Sequence, residues 1–173
     1  MPNPVFHIGT NSFFGLALRR WVDPFVIVAV NVVIDLEVLF SPGFPHTHRH
    51  WYFHTFLVGG MIGAVFGVVC WFFRRYISKI MDFARIIYKP KLWKMCLAGT
   101  LGACLHILMD ALTGFDVQPL RPFSNRNVLW RLFKHTYRDD PVQAKVQLIS
   151  LILLAAAIIL YILAARKFKN QKK

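Results

Sequence analysis

Two runs of this chain contain no Asp, Glu, Lys or Arg: His54 to Phe73 (HTFLVGGMIGAVFGVVCWFF) and Val146 to Ala165 (VQLISLILLAAAIILYILAA). Each has the length of about 20 residues that an α-helix needs to cross the hydrocarbon of a bilayer. One wholly apolar helix fits inside a soluble core. Two of them in 173 residues, with 56% hydrophobic residues overall and a mean hydropathy of +0.46, leave too little polar surface to enclose them. Trp21 to Phe40 and Trp93 to Thr113 are two further candidate spans, both interrupted by polar residues. Asn3 to Leu18 is shorter and reads as either a short span or a helix at the interface. The expected fold is therefore all-α, a polytopic membrane helix bundle forming a single domain over residues 1–173. It has four long apolar helices (21–40, 54–73, 93–113 and 146–165) and a shorter N-terminal helix (4–18). The small residues Gly99, Gly102 and Ala103 let a neighbouring helix approach closely.

The net charge of +13 invites a nucleic-acid reading. The basic residues instead border the apolar runs, as the positive-inside rule requires, so no nucleic-acid partner is expected. Arg19 and Arg20, seven basic residues in the linker 74–94 and five in the tail 166–173 fall on one side of the bundle. The outer loops 41–53 and 114–145 hold the other seven, Arg49 among them. The richer side is assigned to the cytoplasm, which puts the protein in the inner (plasma) membrane with its C-terminal tail cytoplasmic. Within the linker, Ile77, Ile80, Ala84 and Ile87 recur at helical spacing among basic residues, which suits a helix lying on an anionic leaflet. The stretch 127–137 reads the same way on the opposite face, with Trp130 and Tyr137 at headgroup depth. The N-terminal MPNPVFHIG lacks the basic region of a cleavable signal, so the N-terminus is expected to stay in the mature protein. Cys70, Cys96 and Cys104 lie in apolar segments and read as small hydrophobes.

Ionisable groups inside spans cost about 2.5–3.5 kcal/mol each on insertion scales, so those present carry information. Asp35 and Glu37 lie near one end of their span. They are two residues apart and do not share a helix face, so either one of them acts from behind the other or the helix ends there. His106 and Asp110 are four apart on one face of theirs. His54 opens the next span and closes the run HTHRHWYFH, which also contains His46, His48 and His50. If the first apolar stretch crosses the membrane from outside inward, His7 reaches the same face. Four segments then deliver imidazole or carboxylate to one depth, as a divalent-metal site requires. The plainer readings are a hydrogen-bonded His106–Asp110 pair that locks helix packing, a polar loop anchored by aromatics at 46–54, and an interfacial His135. The aromatic residues Phe13, Phe14, Trp71, Phe72 and Phe73 read as lipid-facing or belt residues.

At these residues the chain resembles bacterial and archaeal inner-membrane metal-dependent hydrolases, a family distantly similar to zinc-dependent phospholipase C and P1-type nucleases. The resemblance is strongest over HILMDALTGFDVQPLRPF, where His106, Asp110, Leu112, Thr113, Leu120 and Pro122 match the family pattern. His7 matches a histidine on a short N-terminal helix. Residues 34–37 echo a Pro-Asp-x-Asp element, with Ile34 in place of its proline and Glu37 in place of its second aspartate. Residues 48–55 echo a His-Arg-Gly-x-Thr-His-Ser element with the spacing one residue off, so His48 and His50 compete for one position.

The residues and the resemblance together predict a hydrolase of phosphoesters with its metal site at the extracytoplasmic face. The expected ligands are His7, Asp35, His50, His54, His106 and Asp110, around zinc or alternatively manganese or iron. Glu37 is expected behind the ligands or as proton acceptor, and Arg121 as the clamp on an anionic group, with Arg49 and Arg126 nearby. The expected partners are the lipid bilayer and a lipid or phosphoester substrate. The rival readings are a metal-ion or proton transporter, whose polar residues would continue to the inner face, and a non-catalytic structural membrane protein.

Overall fold

A computed structural model describes residues 4–39, 52–114, 116–132 and 141–171. The described residues form seven helices and no strand: α1 (Pro4–Ala17), α2 (Val26–Leu39), α3 (Phe56–Phe72), α4 (Arg74–Phe83), α5 (Leu92–Thr113), α6 (Val128–Leu132) and α7 (Pro141–Gln171). The all-helical bundle matches the sequence reading, while the count of four long helices is loose. Among the described residues, only α5 and α7 are long and apolar enough to cross a bilayer alone. A third span arises if α3 and α4, bent by 84° where they meet, are taken as one.

The differences have local causes. The span expected from Trp21 starts at Val26, because Asp23 and Pro24 form a turn. Asp23 Oδ1 accepts hydrogen bonds from the backbone N–H of Phe25 (3.1 Å) and Val26 (3.0 Å), which caps α2 in the usual N-cap manner. α3 starts two residues later than expected, because Thr55 caps it through Val58 N–H (3.2 Å). His54 is thereby left outside the helix. α7 runs 31 residues, about 46 Å at 1.5 Å per residue, so Arg166, Lys167 and Lys169 extend the helix beyond the hydrocarbon instead of forming a loose tail. α1 has 14 residues, about 21 Å, too short to cross. It nonetheless belongs to the bundle, packing on α7, α2 and α5 with Thr10 and Asn11 buried.

The centre of the bundle is α5, which packs chiefly on α3 and on α2. α3 presents Gly59, Gly63 and Gly67 along one face. A Cβ on Gly63 would collide with the backbone of Gly99, and one on Gly99 with Gly63 O, so these two helices meet backbone to backbone. Gly102 does the same for α2, where a Cβ would lie 2.6 Å from Ile27 O. Beneath this crossing lies a dry core that includes Val26, Ile27, Val30, Ile34, Met95, Ala98 and Ala103, all at 0% exposure.

α4 turns away from α3 and packs through Ile77 and Met81, while Tyr76, Ile80 and Phe83 stay exposed. Ile80, expected on the same face as Ile77, is thus exposed, and Ile87 lies beyond the end of α4. α4 ends in a Schellman motif: Ile86 N–H donates to Met81 O and Arg85 N–H to Asp82 O, with Arg85 at φ 55°. Within the stretch 127–137, read as a helix on the opposite face, the described residues form α6. It is capped by Asn127, whose Oδ1 accepts from Trp130 N–H (3.0 Å). Tyr137 and His135 lie outside the described residues.

Candidate metal centre

At one end of the bundle, five ionisable side chains from four segments converge. His7 comes from the first turns of α1, Asp35 from the last turns of α2, His54 from the residue before the cap of α3, and His106 and Asp110 from the last two turns of α5. His7, His54, His106 and Asp110 are buried, at 4%, 0%, 1% and 2% exposure. Asp35 forms the wet edge, its side chain 36% exposed. His106 Nε2 lies 3.1 Å from Asp110 Oδ2 and 3.2 Å from Asp35 Oδ1. Asp110 also faces His7 Nε2 through Oδ1 (3.3 Å) and His54 Nε2 through Oδ2 (3.6 Å). The His7 ring stacks on His106 at 4.1 Å between centroids. Two overlapping triads have ligand atoms within 4.8 Å of one another: His7, His106 and Asp110, and Asp35, His54 and His106.

The surrounding hydrogen bonds determine which nitrogen carries the proton. Asn31 Nδ2 donates to Val28 O (2.8 Å), which orients its amide and makes Oδ1 the acceptor. Asn11 Nδ2 donates to Gly102 O (3.2 Å) and to that same Asn31 Oδ1 (2.9 Å). His106 Nδ1, 3.0 Å from Asn31 Oδ1, must then be the N–H donor. In neutral His106 this leaves the Nε2 lone pair facing two carboxylates. The same logic applies to His54. Its Nδ1 lies 2.9 Å from Glu37 Oε2, so it donates there and turns Nε2 toward Asp110. Glu37 is itself fixed by the backbone N–H groups of Tyr52 (2.6 Å) and Phe53 (3.1 Å). Metal-bound histidines commonly have their far nitrogen held in this way.

His106 Nε2 and Asp110 Oδ2 are buried 3.1 Å apart, and with His106 neutral and protonated at Nδ1 neither atom offers the other a proton. Lone pairs and carboxylate charge gathered in a dry site repel one another. A cation among them reverses the sign of every one of these interactions. Nitrogen and carboxylate oxygen are also the donor set that zinc, manganese and iron accept. The residues therefore fit a divalent ion.

Of the residues predicted for the site, the structure brings together His7, Asp35, His54, His106 and Asp110, with Glu37 directly behind His54. His50, with His46 and His48, lies outside the described residues. Arg121 stands apart from the cluster. Its Nε donates to Asn125 Oδ1 (3.2 Å) and its guanidinium lies 5.8 Å from the ring centroid of Tyr52. It lines a groove of about 350 Å³ with Tyr52, Thr55, Leu57, Val58 and Pro122. Arg126 is exposed. The segment after α5 ties the site's elements together. Pro119 O accepts from Phe56 N–H (2.9 Å), and Asn127 Nδ2 donates to Ala111 O and Gly114 O (both 2.9 Å).

Asn11 and Asn31 do not stand out in the sequence analysis, although a signal for them exists. Each sits in an apolar helix four residues from a candidate ligand, Asn11 after His7 and Asn31 before Asp35. That is the spacing of His106 and Asp110.

Fold and site together define a helical membrane protein, in contact with lipid, that carries a cluster of histidines and carboxylates at one end. More narrowly, the chain belongs to the YdjM inner membrane protein family, whose family model matches residues 10–171. No curated protein and no solved structure matches it.

Proposed function

We propose that this protein is a membrane-embedded metal-dependent hydrolase acting on phosphoesters. The observation that carries the reading is the pair of fixed histidines, His106 and His54, whose Nε2 atoms are turned onto Asp110 and, for His106, also onto Asp35. His7, Asp35, His54, His106 and Asp110 hold the ion, zinc in the first instance and manganese or iron as alternatives. His50 or His48 completes the set. A divalent ion there lowers the pKa of water toward 7 and polarises a phosphoryl oxygen. Glu37 positions His54, and Asn31 with Asn11 positions His106. Asp35, on the wet side, is where substrate and water reach the cluster. Arg121, at the mouth of the groove beside Tyr52, binds the anionic group of the substrate. The groove's apolar wall of Leu57, Val58 and Pro122 suits an ester carrying a lipid chain.

The positive-inside rule orients the site outward and the C-terminal end of α7 toward the cytoplasm. A transport reading requires polar groups to continue through the bundle. Among the described residues, the helices below Asn11, Asn31 and His106 present instead the dry layer of Val26, Ile27, Met95 and Ala98. A one-sided site fits hydrolysis better than passage.

The test is the metal content of detergent-purified protein, followed by hydrolysis of a chromogenic phosphodiester. Wild type should hold zinc, manganese or iron in stoichiometric amount and cleave the ester, and Asp110→Ala should do neither. Protein that folds normally but takes up no metal on reconstitution would overturn the metal site. Metal binding without cleavage of any phosphoester would overturn only the reaction.

A further inference from the structure

The end of the bundle opposite the metal centre holds a second cavity, of about 340 Å³. Lys94 and Asp110 are sixteen residues apart on α5, so the two sites are separated by about 24 Å along the helix. Five cationic side chains from four segments line the cavity: Arg19 and Arg20 after α1, Lys89 before α5, Lys94 on α5 and Lys167 on α7. Among the described residues, none of the five has a carboxylate within ion-pair distance. The one acid in the wall, Asp23, is already satisfied. Its Oδ1 accepts from Phe25 and Val26 N–H, and its Oδ2 accepts from Tyr88 O–H at 2.6 Å. Lys94 feels this carboxylate only at longer range.

Five cations held around one cavity without counter-ions repel each other, and an anion inside relieves all five at once. The rim of the cavity identifies the kind of anion. Leu18 and Trp21 beside the arginines and Ile87 beside Lys89 are exposed, and α7 leads away from Lys167 with Leu163, Ile162 and Ile159 exposed. A phosphate in the cavity would have apolar surface beginning at its edge, as a phospholipid needs and a soluble anion does not. Tryptophan at such a rim is also the usual marker of headgroup depth.

We infer that this cavity is a binding site for the phosphate headgroup of an anionic phospholipid, whose acyl chains lie along the exposed face of α7. The site is independent of the metal chemistry at the other end. The orientation proposed above serves only to place it in the inner leaflet.

The test uses the full chain, delipidated in neutral detergent and given equal amounts of phosphatidylglycerol and phosphatidylcholine, with retained lipid counted by native mass spectrometry. Phosphatidylglycerol should be retained selectively. A cation near an anionic headgroup contributes about fivefold, so Lys94→Ala and Lys167→Ala should each lower retention by about that factor. Lys94→Arg should restore it. Lys167 is exposed on α7, so its removal reads binding without risk to the fold. Lys79→Ala, on α4 and outside the cavity, should change nothing. Equal retention of the two lipids, or an equal loss on Lys79→Ala, would show diffuse charge attraction and overturn the site. Displacement of phosphatidylglycerol by millimolar inorganic phosphate would identify a soluble anion as the ligand and overturn the lipid assignment.

Discussion

Asp23 and Asp110 are equally buried, both at 2% exposure, and sit at opposite ends of the same bundle. Around Asp23 every contact is a donor: two backbone N–H groups, a phenol and, further off, a lysine. Burial still pushes its carboxyl above the usual carboxylate range, and those donors only offset part of the shift. Around Asp110 the nearest polar atoms are ring nitrogens, and that of His106 presents a lone pair by the tautomer its neighbours impose. The first carboxylate finishes a local structure. The second, with His106 neutral, faces a lone pair instead of a donor, and the proposed metal site rests on that difference. Burial therefore does not distinguish a structural acid from the ligand proposed at Asp110, whereas the direction in which the neighbours donate does.

The largest effect comes from exchanging the roles. Asp110→Ala should reduce bound metal to background and lower the melting temperature of the metal-free protein less than Asp23→Ala does. Asp23→Ala should keep the full metal content and lower stability by about 1–2 kcal/mol, the usual cost of a lost N-cap. Thermal melts of the two variants with and without chelator separate the cases. A metal-free Asp110→Ala protein less stable than Asp23→Ala would mean that both acids are structural.

Next in size is the frame that brings His54 to Asp110. Gly63→Ala forces a methyl group against the backbone of Gly99, and backbone cannot rotate aside as a side chain can. A loss of about 2–3 kcal/mol is expected from such overpacking, together with weakened metal binding as α3 moves away from α5. Gly60→Ala, three residues earlier on α3, meets only Thr100 Cγ2 and Cys104 Sγ at 3.6 Å and 3.7 Å and should be tolerated. Equal melts for the two variants would refute the backbone contact at Gly63.

Asn31→Ala should have a smaller, purely local effect. It removes the acceptor that fixes the His106 tautomer, and changes of this kind typically cost about 10–100-fold in metal affinity. Competition with a chromogenic chelator measures it. No change would show that the Asn11–Asn31 pair serves packing alone.

How much of this was legible in the sequence depended on the kind of signal. Asp35, His54, His106 and Asp110 stand out because charge and imidazole are rare in apolar runs. His7 required the further assumption that its helix joins the bundle, and the structure supplies that contact through α7. Asn11 and Asn31 were passed over because an amide costs far less than a charge in such a helix, so neither breaks the hydropathy pattern. The start of α2 was misplaced for a related reason. Trp21 and Val22 are apolar enough to extend the run, and only the turn at Asp23 and Pro24 shows that the helix has not begun. Gly99 and Gly102 were recognisable as approach points on α5. Their partners required the pairing of helices, which periodicity alone does not give. Glu37, expected either behind the ligands or as proton acceptor, contacts His54 Nδ1.

The smallest effect tests the satisfied end of the comparison through pH. Tyr88 lies outside the membrane-spanning helices, and its phenol is held well above its ordinary value near 10, first by burial and then by the carboxylate of Asp23. A group whose pKa is raised on folding contributes its full stability below the unfolded value and loses it as pH climbs toward the folded one. Wild type should therefore lose stability progressively above about pH 10, where the unfolded chain releases the Tyr88 proton and the folded chain retains it. Tyr88→Phe removes one hydrogen bond to a buried carboxylate, so near neutral pH it should be about 1–2 kcal/mol less stable than wild type. It has no phenol to ionise, so the gap should narrow above pH 10 and then close. The lysines that titrate in the same range are common to both proteins and cancel in the difference. A gap that stayed constant from pH 7 to pH 11 would mean that Tyr88 does not hold its proton for Asp23. Asp23 would then be incompletely satisfied too, and the contrast with Asp110 would lose its basis.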